Sequence, residues 1–341
     1  MKGFNRKIYG MKRSKPSTIT LFNLIYIISF IFCLIENTYG NKCVSNKAIK
    51  EESTSSLPNN PRWAIVCLAK KPDGLTKRNS KLATAIKPYA KKHNLSIVVF
   101  SEKKMTKKHL DSWESTFNNI ANVKMIDTYD RGFVNPEGND KERIFGYRYM
   151  CKFFTIDLYD YLINSYDYYV RIDVDDYINK MDVDLFQWTI DNKIEYGFPI
   201  RKIEGHIKTR NTFPKWIESY MKACQFEAKA IMDKPLNTCF HFYNNFHIGK
   251  VSFFSRPDVQ HYLKAVNNSG KILETRWGDS TIQAYAVRLF MDPVKIRMIP
   301  DLIFVHGSHG HRIINTTDRG SSNTLPFRLD YWVDPSIKEE K

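Results

Sequence analysis

Ala64-Ile65-Val66-Cys67-Leu68 is a short unbroken apolar run, and residues 96–100 form a second. A run of this length bounded by polar chain predicts a strand buried on both faces. Between the two, residues 81–93 read as a basic helix. The opening is therefore β-α-β, which favours a parallel sheet with a helical crossover. Helix is predicted over 108–120 and a short strand over 123–126. A loop holding Gly132, Pro136 and Gly138 then leads to a long helix over about 143–164. That helix feeds a strand, Tyr166 to Ile172, which ends on Asp173-Val174-Asp175. Beyond it the spacing predicts extended chain over 197–203, helix over 214–229, strand over 248–255, and helices over 257–266 and 279–289. The polar chain from 315 onward is read as surface.

Two carboxylates on the same side at the end of a buried strand suit a divalent cation. An open α/β sheet presents its ligands beyond the carboxyl ends of its strands, where a metal can also take phosphate oxygens. Sugar transfer from a nucleotide sugar is the first reading. The bland alternative is a strand-end aspartate that only forms a turn.

The amino-terminal segment adds an address. Six positive charges and no acid occupy the first fifteen residues, and 19–35 follow without a charged side chain. A spanning helix needs about 20 residues, and a signal-peptide core has roughly 7–15. The division is a basic cytosolic tail at 1–18, a transmembrane signal-anchor at 19–36, a polar stem at 37–61 and a catalytic domain at 62–337. The alternative is a cleaved signal peptide, because Thr38-Tyr39-Gly40 offers small residues for cleavage near Gly40, and the product would then be secreted. The first reading gives a single-pass type II membrane protein facing the Golgi or ER lumen. Sequons at Asn94, Asn267 and Asn315 agree with a lumenal address. Cys224 and Cys239 are a candidate disulfide, and Cys67 reads as a buried free thiol.

The formal net charge of +16 looks like a nucleic-acid signal until it is located. Six charges lie in the tail, and 70–108 holds twelve Lys or Arg against Asp73 and Glu102. That patch suits an anionic substrate, a membrane surface or simply a solvated helix face. No nucleic-acid partner is expected, since the lumenal address separates the chain from one and no recognised binding motif appears.

Four separated stretches resemble the fungal α-1,2-mannosyltransferases of glycosyltransferase family 15. Tyr147-Arg148-Tyr149-Met150-Cys151-Lys152-Phe153 is similar to that family's Y-R-x-M-C-R-F helix, and Tyr168 to Asp175 to its strand ending in an acidic pair. Cys239 to Phe246 resembles C-x-H-F-[WY]-[SN]-N-F, and Arg276-Trp277-Gly278-Asp279 matches R-W-G-D, with His306 following in Phe304-Val305-His306. The resemblance implies a single GT-A-type α/β domain with a Rossmann-like mixed sheet, GDP-mannose as donor, and Mn²⁺ (or Mg²⁺) as cofactor. It also implies a mannose-terminated glycan of a glycoprotein or glycolipid as acceptor, and an α-linkage formed with retention.

Carried onto this chain, the resemblance makes Asp173, Asp175 and His306 the metal ligands. Tyr147, Arg148, Lys152 and Asp173 become donor-binding residues; positions 148 and 152 share a helix face and suit a diphosphate. Asn244, Asn245, Arg276 and Trp277 become acceptor or sugar contacts, and His247 and Asp279 the catalytic candidates. Each has a structural alternative: Asp279 as a helix N-cap, Trp277 as core, the asparagines as turn formers, the cations as solvated charges.

Three departures matter. Lys152 stands where the family has Arg, Asp173-Val174 where it has Glu-Pro, and His247 where it has a glutamate beside the reacting carbon. Histidine forms no glycosyl ester, so front-side displacement fits better than double displacement. Restoring Glu at 247 is expected to preserve or raise activity. The alternative is a catalytically inactive lumenal glycan-binding protein that keeps the fold.

Overall fold

The structure, a computed structural model, describes residues 60–69, 76–102, 104–128, 142–230, 235–307 and 312–316. The tail, the anchor and all but the last two stem residues lie outside them, and among the described residues no helix is long and apolar enough to cross a membrane. The strands are β1 Trp63–Ala69, β2 Ser96–Ser101, β3 Asn122–Asp127, β4 Tyr168–Ile172, β5 Asp176–Met181, β6 Tyr196–Phe198, β7 Arg201–Ile203, β8 Phe240–Phe242, β9 Phe246–Lys250, β10 Ile296–Met298, β11 Leu302–His306 and β12 Arg312–Asn315. Seven form one mixed sheet in the order β10-β6-β9-β4-β1-β2-β3. The four strands β3-β2-β1-β4 run parallel, and β9 enters antiparallel between β4 and β6.

Every residue of β1 is buried, and alternate side chains enter opposite cores. Ala64, Val66 and Leu68 pack with the helices Phe213 and Tyr285 come from, while Trp63, Ile65 and Cys67 face Leu82, Ile86 and Trp113. A strand covered on both faces has no polar side to show, which is why its sequence reads as a continuous apolar run.

A second, antiparallel sheet, β12-β11-β5, grows from the end of β4. The chain leaves β4 at Ile172, turns through Asp173-Val174-Asp175 and re-enters extended structure at Asp176. In the second sheet His306 is the register partner of Asp176. The acidic triplet is thus the corner between two sheets.

Several predicted elements shift. The helix expected from 214 begins at Ile207, capped by the His206 ring, which accepts from the Thr209 N–H at 3.3 Å. Pro214 lies inside that helix. The strand expected over 248–255 ends at Lys250, and Val251–Phe254 is a helical turn. The long helix runs Glu142–Lys152, widens into a π turn at Phe153–Asp157 and resumes at Leu158–Leu162. The 224–239 bridge is not formed, because Cys239 is a free buried thiol. Cys224 is disulfide-bonded.

Candidate active site

Asp175, Asp176 and His306 come together at the corner, one ligand atom from each lying within 4.8 Å of the others. His306 Nδ1 is 2.5 Å from Asp176 Oδ1 and 3.9 Å from Asp175 Oδ2. Asp176 was not anticipated, and it, rather than Asp173, is the third member of this cluster. The turn at Val174 explains the exchange: Asp173 still belongs to the β4 side, while Asp176 opens β5 beside β11.

Asp173 instead accepts from Arg171 Nε at 2.9 Å and from Asn245 Nδ2 at 2.8 Å. Asn245 also lies 3.3 Å from His306 Nδ1, so its amide ties the β4 end to the β11 end. Burial raises the Asp176 carboxyl to about 10, reinforced by the charges of Asp173 and Asp175. Its Oδ2 is buried with no hydrogen-bond partner. Two carboxylates and an imidazole, with one carboxylate oxygen waiting for a partner, fit Mn²⁺ or Mg²⁺.

Arg171 is 1% exposed and was missed in the sequence. Besides Asp173 it donates through Nη1 to Asp279 Oδ2, and its guanidinium lies 3.6 Å from the Phe154 ring centroid. The signal was an arginine inside an otherwise apolar strand, two residues before the triplet. Asp279 opens the helix Asp279–Phe290 but no N-cap bond is formed by its side chain; Gly278 is the cap residue. Its carboxylate also accepts from Asn244 Nδ2 at 2.9 Å and Cys151 Sγ at 3.4 Å. Burial works to raise this carboxyl, but Arg171 and Asn244 hold it below the usual range, so it stays charged.

Tyr147 stands at the exposed rim with the Arg276 guanidinium 4.7 Å over its ring. Arg276 itself is left-handed at φ 61°. Trp277 is 2% exposed, edge-on to Phe213 at 4.6 Å, and donates to Thr212 Oγ1 at 2.9 Å. It fills the core and offers no sugar platform. The two cations expected on the diphosphate are engaged elsewhere: Arg148 donates to the Leu273 carbonyl, and Lys152 pairs with Asp157 at 3.2 Å.

His247 is fully buried, with Nδ1 3.0 Å from the Asn244 carbonyl and Nε2 3.1 Å from the Tyr169 hydroxyl. It lies in the core between Tyr169 and Tyr196 rather than at the acidic corner. A glutamate there would keep an acceptor for the Tyr169 hydroxyl but would lack the donor that meets the Asn244 carbonyl.

Residues 103–313 match the family described as glycolipid 2-alpha-mannosyltransferase. Glycolipid 2-alpha-mannosyltransferase 1 of Candida albicans is 29% identical over 195 residues, covering 53% of this chain and 45% of that protein. The chain spans about half the length of the curated relatives it matches. Among solved structures, the mannosyltransferase Ktr4p from S. cerevisiae aligns with TM-score 0.64 and 18% identity over 86% of this chain and 84% of its own. Core-mannan synthase A from Aspergillus fumigatus, in an Mn/GDP form, aligns with TM-score 0.58 and 17% identity over 74% of this chain and 76% of its own. These likenesses show a glycosyltransferase A-like fold, with a mixed sheet at its centre. With the family match spanning well over half of the sequence, the chain belongs to glycosyltransferase family 15, the glycolipid 2-alpha-mannosyltransferase family.

Proposed function

We propose that the chain is a retaining α-1,2-mannosyltransferase that moves mannose from GDP-mannose to a mannose-terminated glycan in the Golgi or ER lumen. The observation that carries it is the convergence of Asp175, Asp176 and His306 at the sheet corner, in a chain of this family. Those three residues would hold Mn²⁺ (or Mg²⁺). When bound, the ion supplies positive charge against the departing diphosphate.

The chain's own side chains do the rest. Asp173 spends two acceptor positions on Arg171 and Asn245 and keeps the others for donor hydroxyls. Asp279, kept ionised beside Tyr147 and Arg276, accepts from a sugar or acceptor hydroxyl and stabilises positive charge developing at the anomeric carbon. With His247 sealed in the core, no nucleophile from that position reaches the sugar. The acceptor hydroxyl then attacks on the face the diphosphate leaves, and a diphosphate oxygen takes its proton. The Cys224 disulfide supports an oxidising compartment.

The test is the full chain, solubilised, incubated with Mn²⁺, a panel of nucleotide sugars and simple mannosides. Transfer from GDP-mannose is expected, and Asp175→Ala is expected to abolish it with the fold intact. An unchanged rate in that variant removes Asp175 from the chemistry. Mannoside binding without transfer from any donor would identify an inactive glycan-binding protein instead.

A further inference from the structure

Behind Asp279 a set of buried side chains closes a ring of hydrogen bonds that the transfer reaction leaves unused. His247 Nδ1 meets the Asn244 carbonyl at 3.0 Å, and His247 Nε2 meets the Tyr169 hydroxyl at 3.1 Å. The Tyr169 and Tyr159 hydroxyls are 3.4 Å apart, and Gln283 Nε2 donates to the Tyr159 oxygen at 3.2 Å. Asn244 Nδ2 completes the circuit by donating to Gln283 Oε1 at 3.1 Å, and the same amide donates to Asp279 Oδ2 at 2.9 Å.

The direction of every bond follows from its ends. A backbone carbonyl only accepts, so His247 carries its hydrogen on Nδ1 and Nε2 accepts from Tyr169. The Tyr169 oxygen then accepts from Tyr159, and the Tyr159 oxygen from Gln283. Gln283 is oriented independently, because its Nε2 also donates to the Phe154 carbonyl at 3.0 Å, leaving Oε1 for Asn244. All donors therefore point the same way round the ring. The remaining hydrogen of the Asn244 amide faces the carboxylate. Burial, and then the nearby Arg171 charge, push His247 down to about 3, so the imidazole stays neutral and keeps this tautomer. Tyr169 has little freedom to leave: a Cβ on Gly249 would lie 2.5 Å from its ring.

We propose that His247 is a positioning residue that acts through this ring to fix the Asn244 amide on Asp279, and so the aim of that carboxylate, without touching substrate. The kinetic arm of the test rests on the transferase reading above; the spectroscopic arm does not. His247→Phe removes the bonds to the Asn244 carbonyl and the Tyr169 hydroxyl, and Tyr169→Phe those to His247 and Tyr159, so each opens the ring while keeping an aromatic body in place. Each is expected to lower kcat by about tenfold to a hundredfold, the cost of a small misplacement at a reacting centre, with the donor KM near its wild-type value. Because one missing bond already opens the circuit, the double variant should be no worse than the poorer single. His247→Gln, whose amide offers one donor and one acceptor, should recover most of the rate. A normal kcat in both single variants overturns the proposal, and so does an inactive His247→Gln beside a fully active Tyr169→Phe, since the imidazole itself would then be acting on substrate. Should a variant not fold, the ¹⁵N shifts of the His247 ring in the wild-type chain still decide at neutral pH. The Nδ1–H tautomer is expected; an Nε2–H tautomer or an imidazolium overturns the ring. That result needs no turnover, so a chain inactive toward GDP-mannose would not be mistaken for a failure of the circuit.

Discussion

Arg171 carries its charge where almost no water reaches it, stacked on Phe154 and split between Asp173 and Asp279. Placing a guanidinium there is costly unless its donors are matched, and the planar fork matches two carboxylates at once. Removing it leaves two carboxylates without their shared counter-charge. Arg171→Leu is therefore expected to lose about 3–5 kcal/mol in urea unfolding, and Arg171→Lys an intermediate amount because it keeps the charge but not the fork. The pH response gives a second reading of the same contact. Asp279 is held below the usual carboxylate range, so its contribution is present above the unfolded value and is lost as pH falls through the folded one. A leucine variant as stable as wild type would show that the network is idle. At this scale the sequence was half legible. Asp173, Asp175 and His306 stood out because paired carboxylates and a late histidine are chemically conspicuous. Asp176 was hidden by its neighbour, because only the turn at Val174 decides which of three aspartates faces the imidazole. Trp277 could be core or platform from its type alone, and packing against Phe213 made it core.

The elements that build the corner are β5 and β11, and the point where they close is Gly307. Its N–H donates to the Asp175 carbonyl at 3.1 Å, and an added Cβ would lie 2.6 Å from that same oxygen and 2.5 Å from the Arg78 guanidinium. The arginine can swing away, but the backbone oxygen cannot, so the end of β11 would have to retreat and carry His306 with it. Gly307→Ala is expected to weaken Mn²⁺ binding by about tenfold or more in calorimetry while global stability falls by only about 1–2 kcal/mol. Mn²⁺ affinity equal to wild type would detach the end of β11 from the site. Elements were legible where they carry their own signal: β1 and β2 as apolar runs, and the helix at 279 from its acidic start. They were obscure where the signal is tertiary. β5 pairs with β11 across a long stretch of chain, and no local periodicity announces that pairing, while β12 only adds to the far edge of β11 as its neighbour in sequence. The helix at Ile207 starts before its proline because a histidine supplies the cap, which is not a usual capping residue.

Among the described residues a seven-stranded and a three-stranded sheet meet at a bend, beside the two-stranded β7-β8 ribbon, with a hydrophobic core on each face of the largest sheet and the carboxylates collected where the first two diverge. Such a fold gathers like charges at its own seam, and the stability of the metal-free chain should register the strain. Asp176, raised to about 10 by burial and its acidic neighbours, favours its neutral form in the folded state. A raised carboxyl contributes stability that is complete below the unfolded value of about 3.9 and is progressively lost as pH climbs toward the folded value. Above the unfolded carboxylate value and up to about 10, the metal-free chain is expected to melt at falling temperatures as pH rises. Asp176→Asn should flatten that slope, since the amide has no proton to lose. Mn²⁺ binding requires the carboxylate, so the melting temperature gained on adding the ion should grow with pH over the same window. Melting curves of wild type and Asp176→Asn at several pH values, with and without Mn²⁺, separate the terms. An ion-induced gain that is the same at every pH, or a variant whose slope matches wild type, would mean that the bend between the sheets stores no carboxylate repulsion for a cation to relieve.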